Sequence, residues 1–386
     1  MTKRKKIGIL YDYNENWIGS TYYIQNLISA LNVISDNRRP EILIIAKTRG
    51  QFEKLIKSTG YPYLSYKPFG LLERIANRLL SNVPGRRIIS KLLWPAYSKL
   101  DLIFPATHGL SFAGSKNALF WVADFQEHYL PAFFSQQEIQ KRKAVQQKIV
   151  DHGKRIVLSS KAARADFNEI YPGNKLRQFV LPFAVTHPPL HHVSVEEISK
   201  KFNIPSPYFI CSNQFWKHKN HAVILRALAL LKRSGHNFFV AFTGKIHDYR
   251  NPQYFEELGG LLQSLDIEKN VGFLGFISRE DQLTLMNNSI AVVQPSLFEG
   301  WSTVVEDAKS LQVKIVVSDI SVHREQLESY DAKWFFSPED EEQLAESLKL
   351  ANTAAPRIQY NYGKDILRYG TAFADIMEIV ATNQPE

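Results

Sequence analysis

The sequence predicts an α/β protein built from two doubly wound parallel sheets. Short, continuously apolar runs alternate with longer helical patterns between residues 7 and 158, and the alternation starts again between residues 208 and 351. Unbroken apolar runs are typical of parallel strands that helices cover on both faces. At 386 residues, the chain also exceeds the size at which a single hydrophobic core usually keeps growing. We therefore expect two domains of similar architecture.

Each domain is predicted as an alternating series of strands and helices. In the first series, strands are expected at residues 7–11, 41–46, 102–104, 118–122 and 155–158, and helices at 21–32 and 51–58. In the second series, strands are expected at residues 208–211, 237–242, 271–274, 289–294 and 314–318, and helices at 221–234, 252–265, 279–287, 302–311 and 340–351. The polar stretch 186–194 is typical of an interdomain linker. We predict domains at residues 1–188 and 189–361, followed by a helical pattern at 358–382.

The composition indicates a globular protein in a reducing compartment. Hydrophobic residues make up 45% of the chain and charged residues 22%. The single cysteine, Cys211, excludes an internal disulfide and is expected to be a buried, small apolar residue. The basic N-terminus is followed by only five apolar residues before Asp12, which predicts a first strand rather than an export signal. No apolar run approaches the roughly 20 residues of a spanning helix. We expect a cytoplasmic protein, soluble or peripheral at the inner face of the cell membrane.

The formal charge of +9 predicts an anionic partner. Part of this charge is concentrated in residues 71–100, where Glu73 is the only acidic residue. The basic residues of this region are Arg74, Arg78, Arg86, Arg87, Lys91 and Lys99. Two interpretations stand: an amphipathic basic element on an anionic membrane surface, or a core-facing helix pair with a solvated basic face. No nucleic-acid-binding motif accompanies the charge, so nucleic acid is not an expected partner.

The most informative segment is residues 294–309, where an apolar strand gives way to a helix. The segment places Glu299 and the Gly300 turn just before the predicted helix. Backbone amides at a helix start lack internal partners and attract anions such as phosphates. The amides of residues 300–303, which are Gly300, Trp301, Ser302 and Thr303, are therefore candidate phosphate donors. Carboxylates accept hydrogen bonds from sugar hydroxyls, so Glu299 with Glu306 or Asp307 suits the rest of a nucleotide sugar. The alternative is a solvated loop whose acids favour the helix dipole.

This segment resembles the signature of retaining nucleotide-sugar glycosyltransferases of the GT-B type, glycosyltransferase family 4 (group 1). In that signature, Glu-Gly-aromatic-small leads after seven intervening residues to a second Glu. Glu299 matches the first acid, Asp307 stands at the second position, and Glu306 lies one residue earlier. Either Asp307 or Glu306 holds the ribose by this resemblance. The resemblance also implies two Rossmann-like domains facing across a cleft, with residues 362–386 crossing back to the first domain as a C-terminal helix.

A second site segment, residues 211–221, lies between a predicted strand and a predicted helix. It carries Lys217 and Lys219 at the edge of the sheet where open α/β proteins bind ligands. Lysine ammonium groups offset the charge that grows on a diphosphate as the sugar leaves. The family has an Arg here and a Lys five residues later; Lys219 matches that Lys, and Gln214 stands at the Arg position. Lys217 is either a replacement for the missing charge or an exposed loop lysine.

Other loops are assigned to the donor by position and resemblance. Gly19 and Ser20 follow the first strand, where the family contacts the donor phosphates through a glycine loop. Gly244 follows a strand of the second domain, and the loop with Phe276 and Ile277 flanks the nucleobase by resemblance.

The acceptor side is predicted in the first domain. Asp124 follows a strand at a place where the family often has His-Asp, although Ala123 replaces the histidine here. Asp124 would orient or partly deprotonate the acceptor hydroxyl. His108 and His128 are further acceptor-side candidates, and a structural role is the alternative for both.

Together, the resemblance implies a retaining hexosyltransferase that uses a nucleoside-diphosphate sugar. Its acceptor would be a hydroxyl of a glycan or a lipid-linked molecule, in surface polysaccharide biosynthesis, with Glu299, Lys219 and Asp124 as catalytic residues. No cofactor or metal is expected, because Cys/His metal spacings and an Asp-x-Asp pattern are absent. Two alternatives are a nucleotide-sugar 2-epimerase with the same fold and a noncatalytic protein that binds anions or a membrane surface.

Overall fold

The structure is a computed structural model that describes residues 4–13, 18–80, 83–115, 117–187, 193–355 and 359–382. Its strands are β1 (Lys6–Tyr11), β2 (Glu41–Ala46), β3 (Leu64–Pro68), β4 (Leu102–Phe104), β5 (Phe120–Val122), β6 (Arg155–Leu158), β7 (Arg177–Val180), β8 (Phe209–Ser212), β9 (Val240–Thr243), β10 (Val271–Phe273), β11 (Val292–Gln294), β12 (Ile315–Ser318) and β13 (Lys333–Phe336). Its helices are α1 (Ile18–Leu31), α2 (Arg49–Thr59), α3 (Leu71–Leu79), α4 (Arg86–Leu93), α5 (Pro95–Ser98), α6 (Gln126–Tyr129), α7 (Gln136–His152), α8 (Lys161–Ile170), α9 (Val195–Phe202), α10 (His221–Arg233), α11 (Tyr254–Ser264), α12 (Arg279–Asn287), α13 (Thr303–Ser310), α14 (Ser321–Gln326), α15 (Glu341–Thr353) and α16 (Gly363–Thr382).

The chain divides into two compact units. The first unit contains residues 1–124, 141–186 and 363–386, and the second contains residues 125–140 and 187–362. The predicted boundary between residues 188 and 189 falls in 188–192, outside the described residues, as does most of the predicted linker. The sequence prediction kept residues 125–140 in the first domain, whereas the structure groups them with the second unit.

The first unit is built on parallel strands in the order β3-β2-β1-β4, with β5-β6-β7 as a second group. A parallel bridge between Ile103 and Ala118 links β4 to the segment that leads into β5. Ile44 and Ile45, which are adjacent in β2 and therefore point to opposite faces of the sheet, are both buried. Burial on both faces explains why the central strands are continuously apolar.

The last helix, α16, packs against α1 and β4 of the first unit. A Cβ atom added at Gly370 would lie 2.2 Å from the carbonyl oxygen of Ala30, so the two helices approach closely at this glycine. The rings of Phe373 and Phe104 lie 5.2 Å apart. The prediction that the C-terminal helix returns to the first domain is therefore confirmed.

The second unit has one parallel sheet of six strands in the order β10-β9-β8-β11-β12-β13. The chain runs outward in one direction from β8 and in the other direction from β11, and these two strands are neighbours. Ligands of open α/β sheets bind beyond the carboxyl ends of the strands at such a switch point. The loops after β8 and β11 are those that carry Lys219 and Glu299.

The predicted fold class is confirmed, but three strands were missed. Strands β3, β7 and β13 each lie at an edge of their strand group and contain mostly half-buried residues. Each of the three also contains polar residues, so it does not show the unbroken apolar run that identified the other strands.

Residues 125–140 pack against the second unit through aromatic and polar contacts. The ring of Tyr129 stacks on that of Phe298 at 5.4 Å, and the hydroxyl of Tyr249 donates to Glu138 at 3.0 Å. The guanidinium of Arg250 lies 4.7 Å from the ring centre of Phe134. Phe298 directly precedes Glu299, so this segment borders the candidate site.

Within residues 71–100, the core-facing interpretation is wrong for α3 and α4, whose large aliphatic side chains point to solvent, whereas Tyr97 and Leu100 lie in the core. Leu72 is 83% exposed and Leu92 is 74% exposed.

Among the described residues, no helix combines the length and apolar character that crossing a membrane requires. Cys211 is fully buried, as predicted.

Candidate functional site

The structure brings Lys219 and Glu299 into direct contact. Strands β8 and β11 are adjacent, so the loops that follow them meet at the same edge of the sheet. The ammonium nitrogen of Lys219 donates to Oε1 of Glu299 at 2.5 Å. The two side chains are 16% and 8% exposed. A pair with this little solvent is only weakly screened.

Three polar residues that the sequence analysis did not single out hold Glu299 in place. The amide of Gln294 and the hydroxyl of Ser296 donate to Oε1 of Glu299 at 2.8 and 2.7 Å. The amide of Asn213 in turn donates to the side-chain oxygen of Gln294 at 2.7 Å. Among the described residues, every hydrogen bond to this carboxylate ends on Oε1, and Oε2 accepts none. The sequence did offer one signal for these three residues: they are polar and stand at or just after the ends of two apolar strands.

His323 contacts the strand end that holds Ser296, one of the donors to Glu299. Its side chain is fully buried, and burial lowers its pKa to about 4, so the ring is neutral near pH 7. Its Nδ1 lies 2.9 Å from the carbonyl oxygen of Ser318, which assigns the proton to Nδ1 because a carbonyl only accepts. The hydroxyl of Ser318 donates to the carbonyl oxygen of Ser296 at 2.6 Å. The position of Ser296, and through it that of Glu299, thus depends on a buried neutral histidine.

The turn at residues 300–303 is tightly packed. Gly300 and Trp301 are buried, and Ser302 caps α13 by accepting from the amide of Val305. The backbone amide of Ser302 donates to the side chain of Gln326 at 3.2 Å. This amide, one of the predicted phosphate donors, therefore already has a partner in the structure. Thr303 is half-buried at the first position of the helix.

Glu306 is buried and fully engaged with protein groups. Its Oε1 accepts from Lys309 at 3.0 Å and from Gln326 at 2.8 Å, and its Oε2 accepts from the hydroxyl of Tyr362 at 2.5 Å. The exposed fraction of Glu306 is 1%. The side chain faces the interior of the second unit.

Asp307 forms a bidentate pair with Arg279, which the sequence analysis did not predict. The two guanidinium nitrogens lie 2.7 and 2.5 Å from the carboxylate oxygens, and Nε2 of His187 lies 3.4 Å from Oδ1. Burial lowers the pKa of His187, although Asp307 acts in the opposite direction. The side chain of Asp307 is inaccessible, whereas that of Arg279 is 23% exposed. Arg279 is thus the member of this pair that reaches the surface.

The remaining candidates of the second unit differ in their surroundings. Lys217 is 39% exposed and lies 3.5 Å from Glu257. Gln214 and Ile277 are half-buried, and Phe276 is 63% exposed.

Gly244 allows the loop after β8 to pass directly over the end of β9. It has a positive φ of 147°, and a Cβ atom at this residue would lie 2.0 Å from the carbonyl oxygen of Asn213. Only glycine fits such an approach.

The other predicted residues belong mostly to the first unit. Gly19 and Ser20 lie in the first turn of α1, while Trp17 of the same predicted loop lies outside the described residues. Asp124 lies 3.7 Å from Arg142. His108 stacks on Phe120 at 4.6 Å, and burial lowers its pKa to about 4. His128 is exposed in α6, within the segment that packs on the second unit.

Residues 194–358 match the family model described as "Glycosyl transferases group 1". This stretch covers most of the second unit, including the Lys219–Glu299 pair, so the second unit is similar to glycosyl transferases group 1. No curated protein sequence matched the chain.

Solved structures of glycosyltransferases share the fold over the full length of the chain. A glycosyltransferase from Rickettsia africae has a TM-score of 0.66 and 15% identity, with 100% of both chains covered. The Anabaena protein Alr3699/HepE, solved with UDP and glucose, has a TM-score of 0.63 and 18% identity, with 98% of both chains covered. WaaG, a glycosyltransferase involved in lipopolysaccharide biosynthesis, has a TM-score of 0.60 and 14% identity, with 98% of this chain and 99% of WaaG covered. The fold is therefore that of GT-B glycosyltransferases.

Proposed function

We propose that the protein is a retaining hexosyltransferase that uses a nucleoside-diphosphate sugar. The acceptor is a hydroxyl group of a glycan or of a lipid-linked molecule. The observation that carries this proposal is the contact between Lys219 and Glu299 at the switch point of the sheet, within the residues that match the group 1 family model. It supplies a cation for the diphosphate and a carboxylate for the sugar at one place, where α/β proteins bind such ligands.

In the proposed reaction, Lys219 stabilises the departing nucleoside diphosphate. An ammonium group has three N–H donors, and Glu299 accepts one of them, so two remain for diphosphate oxygens. Their attraction increases as negative charge develops on the leaving oxygen. Lys217, on the same loop, would add a second positive charge, although it is partly exposed and lies 3.5 Å from Glu257.

Glu299 would position the hexose through Oε2, while Oε1 stays fixed by its three donors. The acceptor oxygen then bonds to the anomeric carbon on the face from which the diphosphate leaves, and the bond from that carbon to the diphosphate breaks. The acceptor proton passes to a diphosphate oxygen. Bond formation and cleavage on the same face retain the anomeric configuration. The lysines supply the positive charge in this scheme, and we propose that no metal ion is needed.

The rest of the donor would extend along the same edge of the sheet. We assign the nucleobase to the loop with Phe276 and Ile277, and the ribose to the position beside Asp307 or Glu306, although both carboxylates are buried and bonded to protein groups. At that position, the partly exposed side chain of Arg279, rather than the carboxylate of Asp307, reaches solvent and would contact the ribose. Gln214, Gly244 and the loop with Gly19 and Ser20 complete the proposed donor contacts. Asp124, His108 and His128 are the proposed acceptor-side residues.

Two of the structural relatives support the choice of substrates and pathway. Alr3699/HepE is solved with UDP and glucose, which supports a nucleoside-diphosphate hexose as the donor. WaaG acts in lipopolysaccharide biosynthesis, which supports a role in surface polysaccharide assembly.

The test combines ligand screening with transfer assays on the full chain. Thermal shift against UDP-, GDP- and ADP-sugars identifies the donor, because only a ligand that binds the folded state raises the melting temperature. Glu299→Ala and Lys219→Ala should then abolish transfer, whereas Lys232→Ala, in a surface pair with Asp266, should not. Activity should persist in EDTA, and the product should keep the donor's anomeric configuration. Full activity in either site variant, or an isomerised sugar formed from donor alone, would overturn the proposal.

A further inference from the structure

Helices α3 and α4 of the first unit each present an apolar face to solvent. We call these two faces together the leucine face. It consists of large aliphatic side chains whose exposed fractions are 63% for Leu71, 83% for Leu72, 44% for Ile75, 73% for Leu79, 68% for Ile88, 74% for Leu92 and 63% for Leu93. Large aliphatic residues scattered singly on a surface are ordinary, but a contiguous apolar patch marks a binding surface.

The spacing of these residues shows that they belong to one side of each helix. Leu71, Ile75 and Leu79 follow one another at intervals of four residues in α3, so they lie on the same side. Ile88 and Leu92 have the same spacing in α4. The exposure is therefore a property of whole helix faces rather than of isolated side chains.

The opposite side of α3 is polar and buried. Glu73 is 5% exposed and accepts from the hydroxyl of Tyr97 at 2.6 Å and from Lys67 at 3.1 Å. The side chain of Asn77 donates to the hydroxyl of Ser111 at 2.8 Å. Buried polar groups are costly to separate from their partners, so these bonds fix the rotation of the helix. The leucines of α3 cannot turn inward without breaking them.

Helix α4 is anchored in the same way. Ser90 is fully buried; its hydroxyl donates to the carbonyl oxygen of Ser111 at 2.7 Å and accepts from the amide of Gly114 at 2.8 Å. A Cβ atom at Gly114 would lie 2.8 Å from that hydroxyl, so the helix is held close to the loop. Both helices thus reverse the usual arrangement, in which the apolar side faces the protein core.

The leucine face is bordered by positive charge. Arg74 and Arg78 of α3 are exposed, as are Arg87 and Lys91 of α4. The single acid of this region, Glu73, is buried against Lys67 and adds no negative charge to the surface. An apolar face flanked by arginine and lysine is the composition of helices that lie in the interface of an anionic bilayer.

We propose that the leucine face inserts into the surface of an anionic lipid bilayer, with its basic residues contacting lipid phosphates. The charge argues for this occupant over a second copy of the chain, because two such faces would bring like charges together. The docking needs no donor or acceptor, so it is independent of the proposed transfer reaction. It would hold the first unit, to which the acceptor-side residues Asp124 and His108 belong, at the surface where a lipid-linked molecule resides.

The test measures binding of the purified full chain to vesicles. Cosedimentation is compared for vesicles of phosphatidylcholine alone and for vesicles with about one third phosphatidylglycerol. We expect binding to the anionic vesicles, weaker binding at 0.5 M salt, and a loss of roughly a hundredfold in partitioning for the double variant Leu72→Ser and Leu79→Ser. The matched control is Leu350→Ser with Leu367→Ser, since both leucines are 48% exposed elsewhere on the chain. That control should bind like the original protein.

Charge is tested separately with the double variant Arg74→Gln and Arg78→Gln, which should lower binding to anionic vesicles about thirtyfold. The control is Arg226→Gln with Arg233→Gln, a pair of exposed arginines in α10. Circular dichroism shows whether each variant folds, and a variant that does not fold is replaced by Leu92→Ser. Absence of vesicle binding by the original protein, or equal loss in the control variants, would overturn the proposal. So would concentration-dependent dimerisation that the leucine variants abolish without any effect of vesicles. Because no donor sugar is used, these outcomes are distinct from a failure of the transfer assay.

Discussion

The buried ion pair of Lys219 and Glu299 should have a large coupling free energy. The surface pair of Lys217 and Glu257, whose lysine is only two residues away in the chain, should have a small one. Lys219 and Glu299 are 16% and 8% exposed at 2.5 Å, whereas Lys217 and Glu257 are 39% and 54% exposed at 3.5 Å. A double-mutant cycle measures each coupling: Lys219→Met, Glu299→Gln and the double variant, against Lys217→Met, Glu257→Gln and their double variant.

The expected magnitudes follow from burial. A hydrogen bond to a charged group contributes about 1.5–3 kcal/mol, and breaking a fully buried pair costs about 3–5 kcal/mol. Because Lys219 keeps some contact with solvent, we expect a coupling of about 2 kcal/mol for the buried pair. The surface pair is screened, and exposed pairs contribute about 0–0.5 kcal/mol. In 1 M salt, the surface coupling should vanish while most of the buried coupling remains.

The assay must report on the second unit alone, because a chain with two units need not unfold in one transition. Hydrogen exchange of peptides that contain β8 and β11, measured as a function of urea, gives the free energy of opening for that sheet. Equal couplings for the two pairs, or a coupling of Lys219 with Glu299 below about 0.5 kcal/mol, would refute the reasoning that burial makes this contact strong. It would also weaken the proposal that Glu299 is held rigidly for the donor.

Three further predictions test the support around the site and the packing of the last helix. Burial lowers the pKa of His323 to about 4, below the value of about 6.5 in the unfolded chain, so the unfolded state binds more protons between these values. The free energy of unfolding should therefore fall by up to about 3 kcal/mol as the pH drops from 6.5 to 4. In His323→Asn, the free energy of unfolding measured in urea should change less over this pH range, and an equal change in the original protein and the variant would contradict the prediction. Arg279→Gln should lower the free energy of unfolding of the second unit, measured in urea, by about 2–3 kcal/mol, because it leaves the buried carboxylate of Asp307 underpaired. Replacing both residues with apolar ones should restore most of this loss, and additive effects of the two replacements would argue against the pairing. Gly370→Ala should destabilise the first unit by about 1–3 kcal/mol, because the added Cβ would meet the carbonyl oxygen of Ala30. Gly259→Ala has open space around its Cβ and should stabilise α11 by about 0.5–1 kcal/mol. Equal effects of the two variants on hydrogen exchange in their helices would exclude the close contact at Gly370.

The sequence was sufficient to predict the central strands and the two loops that form the pair. Central strands are buried on both faces, so their apolar runs identify them without any tertiary information. Lys219 and Glu299 each follow such a strand, and the rule that ligands bind beyond the strand ends placed both at one edge of a sheet. The edge strand β13 lacked this signal because it also contains a polar residue.

Other parts of the site depend on side-chain directions, which residue spacing does not specify. Asp307 looked like a candidate for the ribose because of its place in the signature, but in the structure it turns toward Arg279, 28 residues earlier in the chain. Gln294 and Ser296 looked like the end of a strand and its loop, yet both donate to Glu299. A pattern along the chain shows which residues share an edge of the sheet; which of them bond to each other is decided by packing across elements distant in sequence.

The first unit is assembled from three separated stretches of chain, and α16 is the last of them. During synthesis on the ribosome, the surface of α1 against which α16 packs stays uncovered while about 180 residues of the second unit are being made, from residue 187 to residue 362. The contact between Phe104 and Phe373 cannot form during that interval, so the side of Phe104 that Phe373 covers has no partner from α16 until Phe373 has emerged. Truncation just before residue 363 should therefore leave a polypeptide that chaperones retain, even though every residue of the proposed donor site has been translated.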